Sequence, residues 1–320
     1  MSGMRKCREA LLALTGVAAL SGAASAAENG VGFYLLGSRS PMSGALPPPG
    51  VYLQNDVIYY SGSAAASKEF PLNGQLAAGI QVDTWLEMPT LLWSTPWQLL
   101  GGNLGLAWSQ PLGGPRVEVD VELSGPHGQR LASDVADSNY TVGDPVVSAL
   151  VGWHQGNFHW QAGVAVNVPA GDYDDGALAN VAFNHWGADP YASLTWFDPK
   201  VGLDLSVSAG VTFNAANPAT DYRTGNEGHL EWSAEQHFAS GFSAGVLGYH
   251  YRQLTDDSGR GAALGGFKGR TRALGLTAAW TAAGTVPWSL RVKTFKEQGA
   301  YNRLEGDATY LTLSIPLSAL

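Results

Sequence analysis

From residue 78 onward, apolar and polar side chains take turns along the chain. In FHWQAGVAVNV, Phe158, Trp160, Ala162, Val164 and Val166 share one parity, and His159, Gln161 and Asn167 take the other. In VGLDLSVSAGVTF, Leu203, Leu205, Val207, Ala209, Val211 and Phe213 oppose Asp204, Ser206, Ser208 and Thr212. In EGHLEWSAEQHF, Leu230, Trp232, Ala234 and Phe238 oppose Glu227, His229, Glu231, Glu235 and His237. A period of two is that of a β-strand with one greasy and one wet face. These runs of eleven to thirteen residues exceed the usual soluble strand of about 5–6. They suit a tilted crossing of a bilayer, which takes about 9–11 residues.

The spacers between runs alternate in length. Residues 155–157, 198–200, 239–241 and 282–287 are short; 125–143, 169–187, 214–225, 255–267 and 298–304 are longer. Short turns on the periplasmic side and longer loops outside are the habit of outer-membrane barrels. The pattern predicts an all-β fold, a transmembrane antiparallel outer-membrane β-barrel of about twelve strands. They lie near 79–93, 99–110, 115–124, 144–154, 157–168, 188–197, 201–213, 226–238, 241–254, 268–281, 286–297 and 306–317. Residues 51–60 read as a further strand and 30–36 as a candidate fourteenth, so the count spans twelve to fourteen. The favoured division is a barrel over 78–320 preceded by an N-terminal segment, 27–77, that forms a plug or a first hairpin. Trp85, Trp93, Trp108, Trp153, Trp196, Trp280 and Trp288 fall near strand ends, where interfacial aromatic girdles sit.

The first residues carry an address. Arg5, Lys6 and Arg8 precede the apolar ALLALTGVAALSG, and Ala24-Ser25-Ala26 forms a cleavage site, so residues 1–26 read as a secretory signal peptide. The single cysteine, Cys7, lies ahead of the apolar stretch. The exported part then has neither a disulfide framework nor a thiolate site. Charged residues make up 14% of the chain and its formal net charge is −9, with 41 glycines and 11 tryptophans. An acidic exported chain is a poor nucleic-acid binder, and its low charge suits strands that meet lipid.

Assigning apolar positions to lipid places the charged ones inside. RVEVDVELSG then offers Glu118, Asp120 and Glu122 to the lumen while its valines touch lipid. Another strand offers Glu231 and Glu235, beside Glu227, His229 and His237. His250 and Arg252 follow, then Lys268, Arg270 and Arg272, then Arg291 and Lys293. The lumen is expected to carry a basic C-terminal wall bordered by an acidic strand. The charges either pair across strands or orient solutes. A lone Arg or Lys facing lipid costs about 2–4 kcal/mol at the midplane, which favours the inward assignment.

Other chemistry is thinly supported. Asp172, Asp174 and Asp175 read as a solvated acidic loop without the EF-hand spacing. His154 and His159 flank a turn without a zinc pattern. His250, Asp257 and Ser258 raise a barrel hydrolase, yet the G-x-S-x-G elbow is missing. The expectation is a protein that is not an enzyme and needs no cofactor or metal.

Three stretches carry a family resemblance: LPPPGVYLQNDVIYY (46–60), NPATDYRTGNEGHLEW (217–232) and GYHYRQLTDDSGRGA (248–262). They resemble the bacterial outer-membrane transporter family associated with the phenol meta-cleavage (MetA) pathway, itself similar in architecture to FadL-type channels. That resemblance implies passive uptake of small hydrophobic, often aromatic solutes across the outer membrane of a Gram-negative bacterium. The expected contact residues are the charged ladder with Asn217, Tyr222, Tyr249 and Tyr251. The expected partners are membrane lipid, lipopolysaccharide, the solutes themselves and the barrel-assembly machinery. Barrels of this sort commonly end in an aromatic residue, whereas this sequence ends Pro316-Leu317-Ser318-Ala319-Leu320. A general polar porin is the first alternative.

Overall fold

The computed structural model describes residues 32–39, 41–64, 76–124, 130–138, 140–175, 177, 180–262, 268–284 and 286–319. Residues 1–26, expected as a signal peptide, lie outside them. Among the described residues, fifteen strand segments follow in order. They begin with β1 Gly50–Ala64, β2 Leu76–Leu99, β3 Gly102–Ser109, β4 Leu112–Ser124 and β5 Arg130–Ser138. Next come β6 Thr141–Val142, β7 Val146–Gln155, β8 Phe158–Asn167, β9 Gly187–Asp198 and β10 Leu203–Asn214. The last five are β11 Glu227–His237, β12 Phe242–Gln253, β13 Arg270–Ala282, β14 Trp288–Tyr301 and β15 Glu305–Ala319.

Every pairing is antiparallel, and β1 bonds both to β15 and to β2, which closes the ring. The fifteen segments make a barrel of twelve staves. β3 and β4 both lie along β2, one on each half of it, with Gln110 and Pro111 between them. On their other side, β7 pairs β3 while β5 and β6 pair β4.

This corrects the sequence reading in two places with no change in the total. Residues 99–110 and 115–124 are one stave, interrupted where Pro111 lacks an N–H for the ladder. The vacated place is taken by β1, which includes 51–60 and sits in the wall between β15 and β2. The stretch expected as a long loop after 124 contains β5, so β2, β4 and β5 carry the wall further on that side. Ala64, at the end of β1, stands opposite Ile80, so residues 76–79 of β2 run beyond β1.

Burial is inverted relative to a water-soluble core. Asp189, Asp204, Glu235 and Lys293 are 0% exposed, whereas Leu274 and Leu276 are 58% and 65% exposed. On β11, Leu230 and Trp232 face out while Glu227, His229, Glu231 and Glu235 are buried inside. Apolar-out and polar-in is the rule of a membrane barrel. Aromatic rings collect at the short-turn end: Trp280 meets Trp288 at 5.3 Å, Trp93 meets Trp97 at 5.1 Å, and Phe238 stacks on Phe242 at 6.0 Å. Trp85 marks the other end, against Tyr59 at 4.8 Å.

Candidate functional site

The lumen is threaded by the N-terminal segment, described over residues 32–39 and 41–49. A Cβ on Gly32 would stand 2.7 Å from the Glu227 carboxylate, near the long-loop end. The segment leaves at Pro47, whose carbonyl accepts from Ser94 Oγ at 2.7 Å, and then turns into β1.

PMSGALPPPG has no strand periodicity, so its backbone groups need partners from elsewhere. The wall supplies them. Glu231 accepts from Tyr34 Oη at 2.8 Å, from Gly37 N at 2.9 Å and from Arg39 N at 3.1 Å. Lys293 Nζ donates to the carbonyls of Gly37 at 2.7 Å and Ser38 at 3.2 Å, and Tyr310 Oη donates to Leu36 O. Met42 N donates to Asp204 at 2.7 Å and Ser206 at 3.1 Å, and Gly44 N donates to Thr195 at 2.9 Å. Gln161 donates to Ser43 O.

Close packing completes the seat. Tyr34 stacks on His229 at 3.5 Å, and the Arg39 guanidinium lies 3.8 Å from the centre of the Tyr191 ring. Gly44 is pressed against the wall: a Cβ there would sit 2.5 Å from both His159 O and Thr195 N. Leu46 occupies the space left by Gly105 and Gly152.

The wall around the segment is not uniformly polar. Leu36 belongs to a buried cluster with Ile58, Leu247, Tyr249, Tyr251, Ala273, Phe295, Ala308 and Tyr310. The tyrosine hydroxyls are bound at the edge of this patch: Tyr249 Oη donates to Glu297 at 2.8 Å and Tyr251 Oη to Glu227 at 2.6 Å. Phe295 lies 5.2 Å from Tyr249 and 5.8 Å from Tyr310. Leu36 therefore rests on an aromatic wall inside the barrel. A parity signal was present for part of it, since Phe295 and Glu297 continue the inward parity of Arg291 and Lys293. Nothing in the sequence pointed to Leu36.

Of the expected lumen residues, Glu231, Glu235, Arg291 and Lys293 line the interior. Arg291 binds Glu235 through both amino groups, with Nη2 at 2.9 Å from Oε1, and also reaches Thr277 at 2.7 Å. Tyr249 and Tyr251 also point inward. Asn217 and Tyr222 lie in the loop cover rather than in the wall. Asn217 is bonded to Tyr173 at 3.0 Å and Asn184 at 2.9 Å, and Tyr222 donates to Asp257 at 2.6 Å.

The rest of the expected basic wall is on the other face. His250, Arg252, Arg270 and Arg272 are exposed on the barrel exterior, and the inward positions between them are Tyr249, Tyr251, Thr271 and Ala273. Lys268 is exposed at the loop end and pairs with Asp256 at 3.3 Å. The physical reason is depth. The penalty for a lipid-facing cation falls to about 0–1 kcal/mol near the interface, and these residues stand at the strand ends next to the long loops. Glu118 is likewise not in the lumen: it bonds the exposed Arg116 at 2.9 Å. Its partner Gln81 lies opposite Ser63, at the rim. Asp120 and Glu122 are carried further along the same stave, and their side chains lie outside the described residues. In the considered hydrolase set, His250 is on the outer wall while Asp257 turns in toward Tyr222, Gly225 and Gln253.

Residues 63–313 match the family described as "Putative MetA-pathway of phenol degradation". No curated protein matches the sequence. Among solved structures, the COG4313 outer membrane channel from Pseudomonas putida F1 is similar at TM-score 0.62 and 14% identity, over 88% of this chain and 99% of that one. The β domain of the Bordetella autotransporter BrkA (TM-score 0.45, 8% identity, 85% and 100% covered) and a Pseudomonas aeruginosa FadL homologue (0.39, 12%, 87% and 94%) are looser likenesses. The first of these likenesses supports the barrel fold and no more.

Proposed function

We propose, for a chain that belongs to the family described as "Putative MetA-pathway of phenol degradation", a passive channel in the Gram-negative outer membrane for small hydrophobic or aromatic compounds. Transport is diffusion down a gradient, without catalytic turnover, cofactor or metal. The observation that carries this reading is the aromatic wall of Tyr249, Phe295 and Tyr310, which is capped by Leu36. A polar lumen built only for water and ions has no need of such a surface. An apolar side chain already occupying it stands where an apolar solute would rest once the N-terminal segment shifts. The family description agrees in substrate class, and the similar architecture agrees in route.

The test is uptake into liposomes containing the processed protein. A small phenol should enter faster than a sugar of similar size, and Phe295→Asp should erase the preference. The second reading, a general polar porin, draws on the polar inner wall around the Glu235–Arg291 pair. Equal permeation of phenol and sugar with a large steady conductance would establish it and overturn the first.

A further inference from the structure

The cations expected inside the barrel form a patch outside it. β12 and β13 pair His250 with Arg272 and Arg252 with Arg270. All four side chains are on the outer face and exposed. On β14, Lys296 is exposed on the same face, opposite Leu274. Adjacent strands are about 4.8 Å apart, and alternate residues on one strand about 6.7 Å. Five cationic or ionisable groups thus share a footprint of about 10 Å by about 13 Å.

Depth and partners are both informative. The patch begins one outward position beyond Leu274, which with Leu276 and Trp280 forms the lipid-facing run of β13. It lies on the long-loop half of the barrel, opposite the short turns. Arg270 lies 5.4 Å from the Tyr301 ring centre, and Lys296 stands across the ladder from Asp307. Among the described residues, Arg252, Arg272 and His250 form no ion pair. Elsewhere on the exterior, Arg116 is matched by Glu118. A chain of net charge −9 has therefore gathered unmatched arginines at the junction of hydrocarbon and headgroup. Arginine prefers planar, two-pronged contact with phosphate oxygens, and the leucines below it meet acyl chains.

We propose that this face docks a phosphorylated glycolipid of the outer leaflet, with the lipid A phosphates of lipopolysaccharide on Arg252, Arg270 and Arg272 and the acyl chains along Leu274 and Leu276. The inference rests on the outer-membrane placement but not on the identity of the transported solute. It assigns the cations a role at the rim that the lumen cannot provide.

The test uses purified full-length processed protein in detergent. Binding of lipid A is compared with that of the same lipid stripped of its phosphates and with inorganic phosphate as competitor. The expected result is at least tenfold tighter binding of the phosphorylated lipid. Arg252→Gln/Arg270→Gln/Arg272→Gln should lose that tenfold preference, while Arg116→Gln keeps it. Millimolar phosphate should not compete, because the leucine contacts are missing. Equal binding of the two lipids by the unaltered protein overturns the proposal, whatever the fate of the triple variant. So does full competition by phosphate, which would mark a free-anion site, or unchanged preference in a folded triple variant. Phenol uptake is read separately on the same samples, so failure of one reading leaves the other standing.

Discussion

Replacing Glu231 by alanine removes the acceptor on which three donors of the N-terminal segment converge, Tyr34 Oη, Gly37 N and Arg39 N, at 2.8–3.1 Å. Glu231 is 4% exposed, so these are buried bonds to a carboxylate, each worth about 1.5–3 kcal/mol. Their simple sum, about 4.5–9 kcal/mol, is an upper bound, because the vacated space admits water that rebinds the donors. If about a third of that sum is lost in practice, the seated state is weakened by about 1.5–3 kcal/mol, and the unseated fraction rises about 10–100-fold at about 1.4 kcal/mol per decade. Ser38→Cys, in protein made without residues 1–26 and so without Cys7, reports seating through its reaction with a bulky maleimide. Glu231→Ala should label about 10–100-fold faster, and Glu231→Gln, which keeps one acceptor oxygen, should fall between. Equal labelling rates in two equally folded proteins would refute the view that these bonds hold the segment.

Other positions give sharper signs. Arg291→Ala leaves the Glu235 carboxylate buried without its two-pronged partner, so the barrel should lose about 3–5 kcal/mol and unfold at lower temperature in gel heat-shift assays. Arg291→Met with Glu235→Leu should recover most of that loss. Gly44→Val places a side chain against His159 O and Thr195 N, which should unseat the segment while leaving the barrel's heat resistance intact; both are read by Ser38→Cys labelling and the heat shift. In the loop cover, burial raises the Asp257 carboxyl above its usual 3.8, more than the donors Tyr222, Gly225 and Gln253 lower it. The folded loop therefore binds this proton more tightly than the unfolded chain does. Its contribution is fully present below pH 3.8 and is lost as pH rises through the raised value. Loop proteolysis should accelerate over that interval, and Asp257→Asn should abolish the dependence.

The strand order from β7 to β15 was legible because alternation survives in those staves. Leu205 and Val207 on one side, with Asp204 and Ser206 on the other, leave only one way to face lipid. The misassigned cations show where that logic breaks. Lys268, Arg270 and Arg272 share parity with Leu274, Leu276 and Trp280, so a single-face reading of the whole strand places them outside. Treating the lipid penalty as uniform with depth reversed them. His250 and Arg252 share parity with Phe242 and Val246 in the same way. Glu118 follows Leu112 and Trp108 across Gln110 and Pro111, a continuity hidden by reading the stave as two strands. The seat of the N-terminal segment was beyond reach for a different reason. Its partners, Glu231, Lys293 and Tyr310, lie 190 residues or more away, and they bind backbone atoms that every residue possesses.

The central claim is that residues 32–49 occupy the solute path and must shift for transport. Met42 N and Ser206 Oγ are 3.1 Å apart, so Met42→Cys with Ser206→Cys, in protein made without residues 1–26, can pin the segment to β10. Phenol uptake into liposomes is then measured before and after reduction. The account predicts background uptake when the pair is oxidised and recovery on reduction; equal uptake in the two states would contradict it.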